Sequence, residues 1–96
     1  MSPQEFHDSL SNEAPPKGLT RALAALWWDA KGDWTKAHES AQEGNGPNEA
    51  WVHAYLHRKE GDLSNAAYWY QRAQKQVAHG SLTEEWNEIS ASLLAM

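Results

Sequence analysis

The sequence contains no cysteine among its 96 residues. A disulfide framework and a zinc site made of thiolates are therefore both excluded. The first ten residues, MSPQEFHDSL, have neither the basic segment nor the apolar segment of a secretory signal. Together these two features predict a protein of the cytoplasm.

Long apolar runs and strand patterns are also missing. No stretch approaches the ~20 apolar residues that cross a bilayer, so no membrane association is predicted. β-branched residues are few, and no segment alternates apolar and polar residues over the length of a strand. The sequence therefore predicts an all-α fold.

Basic residues are outnumbered by acidic ones. The chain carries 8 Lys and Arg against 13 Asp and Glu, which gives a formal net charge of −5. Proteins that bind nucleic acids present a basic patch or stripe, because binding neutralises phosphates. No such stripe is present, and nucleic acid is not a predicted partner.

Motifs for covalent catalysis and phosphate binding are absent as well. None of the serines has the G-x-S-x-G context of a nucleophile elbow. The glycine-rich stretch at residues 44–47 lacks the Lys-Ser/Thr ending of a phosphate-binding loop. No catalytic residue is predicted, because these motifs are missing. Their absence favours a protein that is not an enzyme.

Tryptophan, by contrast, is abundant. The chain has six: Trp27, Trp28, Trp34, Trp51, Trp69 and Trp86. They are predicted to fill the core of a small alanine-rich helical domain, because each aromatic side chain buries ~150–250 Å². The alternative is that some of them line a binding groove, and the candidates for ligand contact are Trp28, Trp51 and Trp69, with Tyr68 beside the last.

One helix has almost no polar face. The stretch 49–60, EAWVHAYLHRKE, places apolar or aromatic residues on every side and is clearly polar only at its end. A helix that is apolar nearly all round is a buried one. This stretch is therefore predicted to be the central helix, beginning at a cap on Asn48.

The rest of the chain divides into helices separated by glycine and proline. We predict one domain with an N-terminal segment at 1–17 containing a short helix, a helical hairpin at 18–43, a second at 48–79 and a capping helix at 81–96. The individual helices are expected at 18–31, 34–42, 49–60, 63–78 and after Ser81. Asp33, Asp62 and Ser81 are the expected N-caps.

The two hairpins repeat each other. Gly61-Asp62 follows Gly32-Asp33 after 29 residues, and Ala66 matches Ala37 at the same spacing. The stretch EGDLSNAAYWYQRAQK resembles the second half of a tetratricopeptide repeat, and the whole is similar to small tetratricopeptide-like proteins with a WVHAYLHRKEGD stretch. This resemblance implies stacked α-hairpins that bind a protein or peptide partner, although the typical period is ~34 residues.

Three histidines form the main candidate site. His53 and His57 are one helical turn apart, and His38 lies on the inward face of the preceding helix. If the three imidazoles converge, they could bind zinc with a fourth position open, and Asp29 or Glu39 could add a carboxylate. The alternatives are histidines hydrogen-bonded within the core, or a polar pocket that holds a small ligand.

Two functional hypotheses follow, together with a third possibility. The first is a non-enzymatic module that binds a protein or peptide partner and needs no cofactor. The second is a small ligand- or metal-binding protein, conceivably a hydrolase, that uses His38, His53 and His57. Self-association through a tryptophan-rich surface is the third. The first two differ in geometry, because metal binding requires the imidazole nitrogens to lie within ~4 Å of one point.

Overall fold

A computed structural model describes all residues from Met1 to Met96. Six α-helices and no strand are present, which confirms the all-α prediction. The elements are α1 (Pro3–Asp8), a 3₁₀ turn (Ser9–Ser11), α2 (Arg21–Ala30), α3 (Trp34–Gln42), α4 (Pro47–Lys59), α5 (Leu63–Ala73) and α6 (Leu82–Leu94). None of the six helices combines the length and the apolar character that crossing a membrane requires.

Helix α4 is the centre of the fold. It packs against α2, α3, α5 and α6, and every residue from Ala50 to His57 is buried. The absence of a polar face in the sequence therefore correctly predicted a buried helix. The two histidines on α4 are consequently held in a fixed environment by neighbours on several sides.

Helix α2 packs mainly on α3, and α4 packs mainly on α5. The turn inside each pair has the same backbone structure. Gly32 and Gly61 have φ of +85° and +88°, a conformation that glycine adopts without strain. The amides of Asp33 and Asp62, which follow these glycines, each donate a hydrogen bond of 3.0 Å to the backbone oxygen five residues earlier. The two Gly-Asp turns, 29 residues apart in the sequence, thus share one backbone conformation.

The two aspartates that follow these glycines cap the next helices. The side chain of Asp33 accepts a hydrogen bond from the amide of Lys36, and that of Asp62 accepts one from the amide of Asn65. Each cap satisfies an amide that has no partner within the helix. Both predicted caps are confirmed, and they fix where α3 and α5 begin.

Two helix starts differ from their predictions. Helix α2 begins at Arg21 rather than at residue 18, because Gly18 has a φ of +85° and Thr20 is the extended N-cap. Helix α4 begins at Pro47 with Gly46 as its N-cap, so the prediction of a cap on Asn48 is wrong. Proline suits the first helical position because its missing N–H has no partner there in any case.

Helix α5 is shorter than predicted. It ends at Ala73 rather than at residue 78, because Gln74 adopts a left-handed conformation with φ of +59°. The amide of Lys75 then donates to the backbone oxygen of Tyr70, at 3.0 Å. Val77, which the prediction placed in the apolar stripe of this helix, is therefore outside it and 45% exposed. Leu63, the first residue of α5 and of the same predicted stripe, is also in solvent, at 66% exposure.

The two ends of the chain cover the core. Helix α6 packs against α4 and α2, and α1 packs against α6. The indole N–H of Trp86 donates to the backbone oxygen of Leu26 at 3.0 Å, and its ring stacks on that of Phe6. Phe6 itself is 1% exposed, so the N-terminal helix belongs to the packed structure.

Candidate metal centre

The structure brings the three candidate histidines together. His38 projects from α3, and His53 and His57 project from successive turns of α4. The Nε2 atoms of His38 and His53 are 3.0 Å apart, a hydrogen bond in which one ring donates its N–H to the other. One nitrogen from each of the three rings lies within 4.8 Å of the others. His53 and His57 are buried, at 5% and 6% exposure. The convergence depends on the packing of α3 against α4.

Two tryptophans enclose the histidines. The ring of Trp34 stacks on His38, with centroids 4.8 Å apart and planes at 11°. The ring of Trp69 stacks on His53 at 3.9 Å and 11°. The indole N–H of Trp34 donates to the backbone oxygen of Leu56 at 3.1 Å, which fixes that ring. The indoles therefore restrict how the imidazoles can rotate.

Trp34 was not among the predicted site residues. Its position four residues before His38 places the two side chains on one face of α3, since residues four apart are neighbours on a helix. That spacing was the signal available in the sequence.

His57 is oriented by two polar neighbours. Its Nδ1 lies 2.6 Å from Oε1 of Glu60, and its Nε2 lies 3.4 Å from Nδ2 of Asn65. A carboxylate accepts hydrogen bonds, so Nδ1 is the protonated nitrogen in this contact. Nε2 then carries the lone pair. A carboxylate on the outer nitrogen of a histidine is the usual orientation device around bound zinc.

The carboxylate in this position was not predicted. Asp29 instead accepts hydrogen bonds from the hydroxyl of Tyr55 at 3.0 Å and from Nζ of Lys59 at 2.8 Å. Glu39 lines a separate surface groove with Gln42 and Glu43. Glu60 was identifiable only by its distance of three residues from His57, which places both on one side of the last helical turn.

Burial keeps the two facing imidazoles neutral. It lowers the pKa of His53 to about 4, with further lowering by the nearby His38 and His57. Burial also lowers the pKa of His38, and the nearby His57 lowers it further. The carboxylates of Glu60 and Glu39 act in the opposite direction and raise this pKa. Metals bind the neutral imidazole. At neutral pH these two rings therefore have no proton to release on metal binding.

The remaining predicted site residues lie outside the cluster. Trp28 packs edge-on against Trp27 and lies under Nζ of Lys36, at 4.3 Å. Trp51 is buried and lies under Nζ of Lys75, at 4.2 Å. No ring contact joins either tryptophan to an imidazole.

Tyr68 lies at the edge of the site. Its ring packs edge-on against Trp69 with centroids 5.3 Å apart. The side chain is 51% exposed. Tyr68 therefore touches the outer face of the enclosure and does not reach the histidines through any ring contact.

Three convergent imidazoles can ligate a transition metal. Zinc–nitrogen bonds of 2.0–2.1 Å place two ligands of a tetrahedral ion roughly 3.3 Å apart, which is close to the separation of the His38 and His53 nitrogens. The third nitrogen, on His57, lies within 4.8 Å of these two. Three protein ligands would leave a fourth position for water or another ligand.

The chain matches no protein-family model, and no match to it was found among curated proteins or among solved structures. A function for it is therefore inferred from the positions and chemistry of its own residues.

Proposed function

We propose that the protein binds one divalent transition-metal ion of the zinc class through His38, His53 and His57. The observation that carries the proposal is the convergence of one nitrogen from each imidazole to within 4.8 Å of the others. Imidazole is a preferred ligand of zinc, copper and nickel. The chain offers no cysteine, so a nitrogen-based site is the form that tight zinc binding would take here.

The surroundings of the histidines support this proposal. Two ligands come from the buried stretch of α4, and Trp34 and Trp69 stack on His38 and His53. Rings that are already restricted lose little freedom when an ion binds, which favours affinity. The Glu60 carboxylate on Nδ1 of His57 leaves the lone pair on Nε2, which would exchange its contact with Nδ2 of Asn65 for the ion.

The proposal concerns binding rather than catalysis. A three-histidine site with an open position is the arrangement of catalytic zinc in several hydrolases. Hydrolysis also needs a group that moves protons near the metal-bound water. The carboxylate that hydrogen-bonds to one of these rings, Glu60, is engaged by Nδ1 of His57. Hydrolase activity therefore stays outside the proposal.

Removing one ligand is expected to weaken zinc binding by more than about 100-fold, since loss of an outer-shell partner alone costs 10–100-fold. The measurement is calorimetric titration of zinc into metal-free protein purified without a histidine tag. Wild type should bind one ion per chain, and His38→Ala and His53→Ala should bind zinc more than about 100-fold more weakly, while circular dichroism reports an intact fold.

His79→Ala is the matched control, because His79 is exposed and lies outside the cluster. It should bind zinc as wild type does. Zinc binding that is equal in all four proteins, or wild-type protein that binds no stoichiometric zinc, would contradict the proposal.

The helical pairs support a second candidate. In it, α2–α3 and α4–α5 are tetratricopeptide-like hairpins, and the chain is a non-enzymatic module for a protein or peptide partner. The support is the shared backbone structure of the turns at Gly32 and Gly61, 29 residues apart. The spacing is shorter than the ~34 residues typical of such repeats, and fold alone does not specify a function.

The surface that favours a partner is the exposed side of α5. Tyr68 is 51% exposed and contacts Arg72 and Trp69. Tyrosine, arginine and tryptophan are the residues that contribute most to binding at interfaces. This combination makes position 68 the point at which a partner is expected to touch.

A photo-crosslinking amino acid at position 68 is expected to capture one partner in the native cells, whereas the same group at exposed position 4 should not. The captured protein is then purified, and Tyr68→Ala should weaken its binding by more than about 10-fold, since hot-spot truncations cost 2 kcal/mol or more. Capture of a second copy would indicate self-association instead. Identical products at both positions would contradict the module hypothesis.

A further inference from the structure

A groove of about 310 Å³ opens beside the histidine cluster. Its walls are the end of α3, the turn that precedes α4, the first turns of α4 and the outer side of α5. Its lining includes the polar side chains of Gln42, Asn45, His53 and Arg72, together with the ring of Trp69. His53 belongs both to this lining and to the proposed metal site, so a molecule in the groove would lie next to the ion.

The lining contains no acidic side chain, although the chain as a whole has a net charge of −5. Glu49 packs against Gly44 and Gly46 at the turn without lining the groove. The charged residue of the lining is Arg72, and the amides of Gln42 and Asn45 supply neutral hydrogen-bonding groups. The groove is therefore suited to a negatively charged ligand.

Arg72 has hydrogen-bonding capacity to spare. One of its nitrogens donates to the hydroxyl of Tyr68 at 3.1 Å, and the guanidinium carbon lies 5.2 Å from the centre of the Trp69 ring. No carboxylate pairs with Arg72. A guanidinium has five N–H donors and matches the two oxygens of a carboxylate or phosphate in a fork geometry.

Trp69 connects the arginine to the histidines. Its ring stacks on His53 at 3.9 Å and contacts Arg72 at 5.2 Å. Arg72 and His53 therefore contact the same indole ring and line the same groove. The volume of about 310 Å³ is at the small end of natural ligand pockets, which favours a small ligand.

We propose that the groove binds a small oxyanion-bearing ligand, held by Arg72 and completing the coordination of the metal ion at His38, His53 and His57. The inference rests on the proposed metal binding and names the class of molecule that the site takes. An oxyanion beside both a divalent cation and a guanidinium is attracted by both positive charges. Three neutral imidazoles leave the charge of the ion uncompensated, which an anionic fourth ligand would reduce.

The test uses full-length protein loaded with Co²⁺ in place of zinc, because Co²⁺ has a visible spectrum that changes when its ligands change. Inorganic phosphate and acetate are titrated separately, to distinguish phosphate-type from carboxylate-type ligands. At least one of them should shift the spectrum and saturate. Arg72→Gln should weaken that binding about 10-fold or more, the effect of losing a hydrogen bond to a charged group.

Two further variants complete the test. Arg72→Lys keeps the charge without the fork and should fall between wild type and Arg72→Gln. Lys75→Gln is the matched control, because Lys75 is also a cation over a tryptophan ring but lies on the Trp51 side, outside the groove. It should bind the anions within about two-fold of wild type, since exposed charges outside a site contribute little.

Failure of this inference and failure of metal binding are distinguishable. If Co²⁺ binds stoichiometrically but neither anion changes its spectrum, the oxyanion site is wrong and the metal site stands. The oxyanion site is equally contradicted if Arg72→Gln binds the anions as well as wild type does. If Co²⁺ itself does not bind, both proposals are overturned.

Discussion

Glu85→Ala is expected to lower the free energy of unfolding by about 3–5 kcal/mol, the cost of removing one partner of a buried ion pair. Glu85 is 4% exposed. It accepts hydrogen bonds from Arg58 at 2.9 Å and from the hydroxyl of Tyr70. A second nitrogen of Arg58 donates to the backbone oxygen of Gly80. The network therefore joins α4, α5, α6 and the segment before α6.

Removal of the carboxylate would leave two buried groups without their partner. The side chain of Arg58 is 15% exposed, so solvent can replace the lost charge only in part. Burial, the hydrogen bond to Glu85 and the charge of Glu85 all raise the pKa of Tyr70, so its hydroxyl keeps its proton and needs an acceptor. The unpaired charge of Arg58 and the unpaired hydroxyl of Tyr70 would both lower the free energy of unfolding.

Urea unfolding followed by circular dichroism measures this effect. Glu88→Ala is the matched control, because Glu88 is on the same helix and exposed, and it should change stability by less than about 0.5 kcal/mol. Similar losses in the two variants would show that the buried network does not support the fold as described.

Acidification from pH 7 to pH 4 is expected to destabilise the metal-free protein by about 3 kcal/mol through His53 alone, since each pKa unit is worth about 1.4 kcal/mol. Burial and the neighbouring imidazoles lower the pKa of His53 to about 4 in the folded protein. In the unfolded chain it is about 6.5. The unfolded state thus binds more protons between these values, and stability falls as pH falls.

His38 contributes in the same direction, because its pKa is lowered as well. The measurement is the unfolding free energy between pH 7 and pH 5, where most carboxylates stay charged and about 2 kcal/mol of the loss through His53 is expected. His53→Gln removes the titrating group and should give a flatter profile than wild type. Parallel profiles for the two proteins would contradict the account of buried, neutral imidazoles.

Zinc should stabilise the folded protein at neutral pH and cease to do so in acid. An ion that binds only the folded state at 100 times its dissociation constant adds about 2.7 kcal/mol. Protons compete for the same imidazole nitrogens, so the stabilisation disappears as the histidines become charged.

Much of the fold follows from local features of the sequence. The Gly-Asp pairs at 32–33 and 61–62 fix both turns, since glycine relieves the positive φ and aspartate caps the next helix. The missing polar face of residues 49–60 identified the central helix. These features were readable because each depends on residues close together in the chain.

The end of α5 was not predictable in the same way. Residues 74–80 have no glycine or proline before Gly80. The sequence therefore predicted that the helix continues past Ala73, to residue 78. In the structure Gln74 is left-handed, and Arg58 from α4 binds the backbone oxygen of Gly80. A contact from another helix holds this segment, and such a contact has no local signature.

The candidate site likewise has features that the sequence predicts and features that depend on tertiary packing. The spacing of His53 and His57 is local and predicted a shared helical face. The position of His38 against them depends on how α3 packs on α4, and the choice of carboxylate depends on side-chain geometry. Asp29 is occupied by Tyr55 and Lys59, which no sequence pattern revealed.

X-ray absorption at the zinc edge of the loaded protein tests the central claim most directly, because it counts imidazoles around the ion. Three imidazole nitrogens at ~2.0–2.1 Å with one further light atom are predicted. His38→Ala should reduce the count to two. A spectrum with one or two imidazoles, or one that His38→Ala leaves unchanged, would contradict a metal centre formed by His38, His53 and His57.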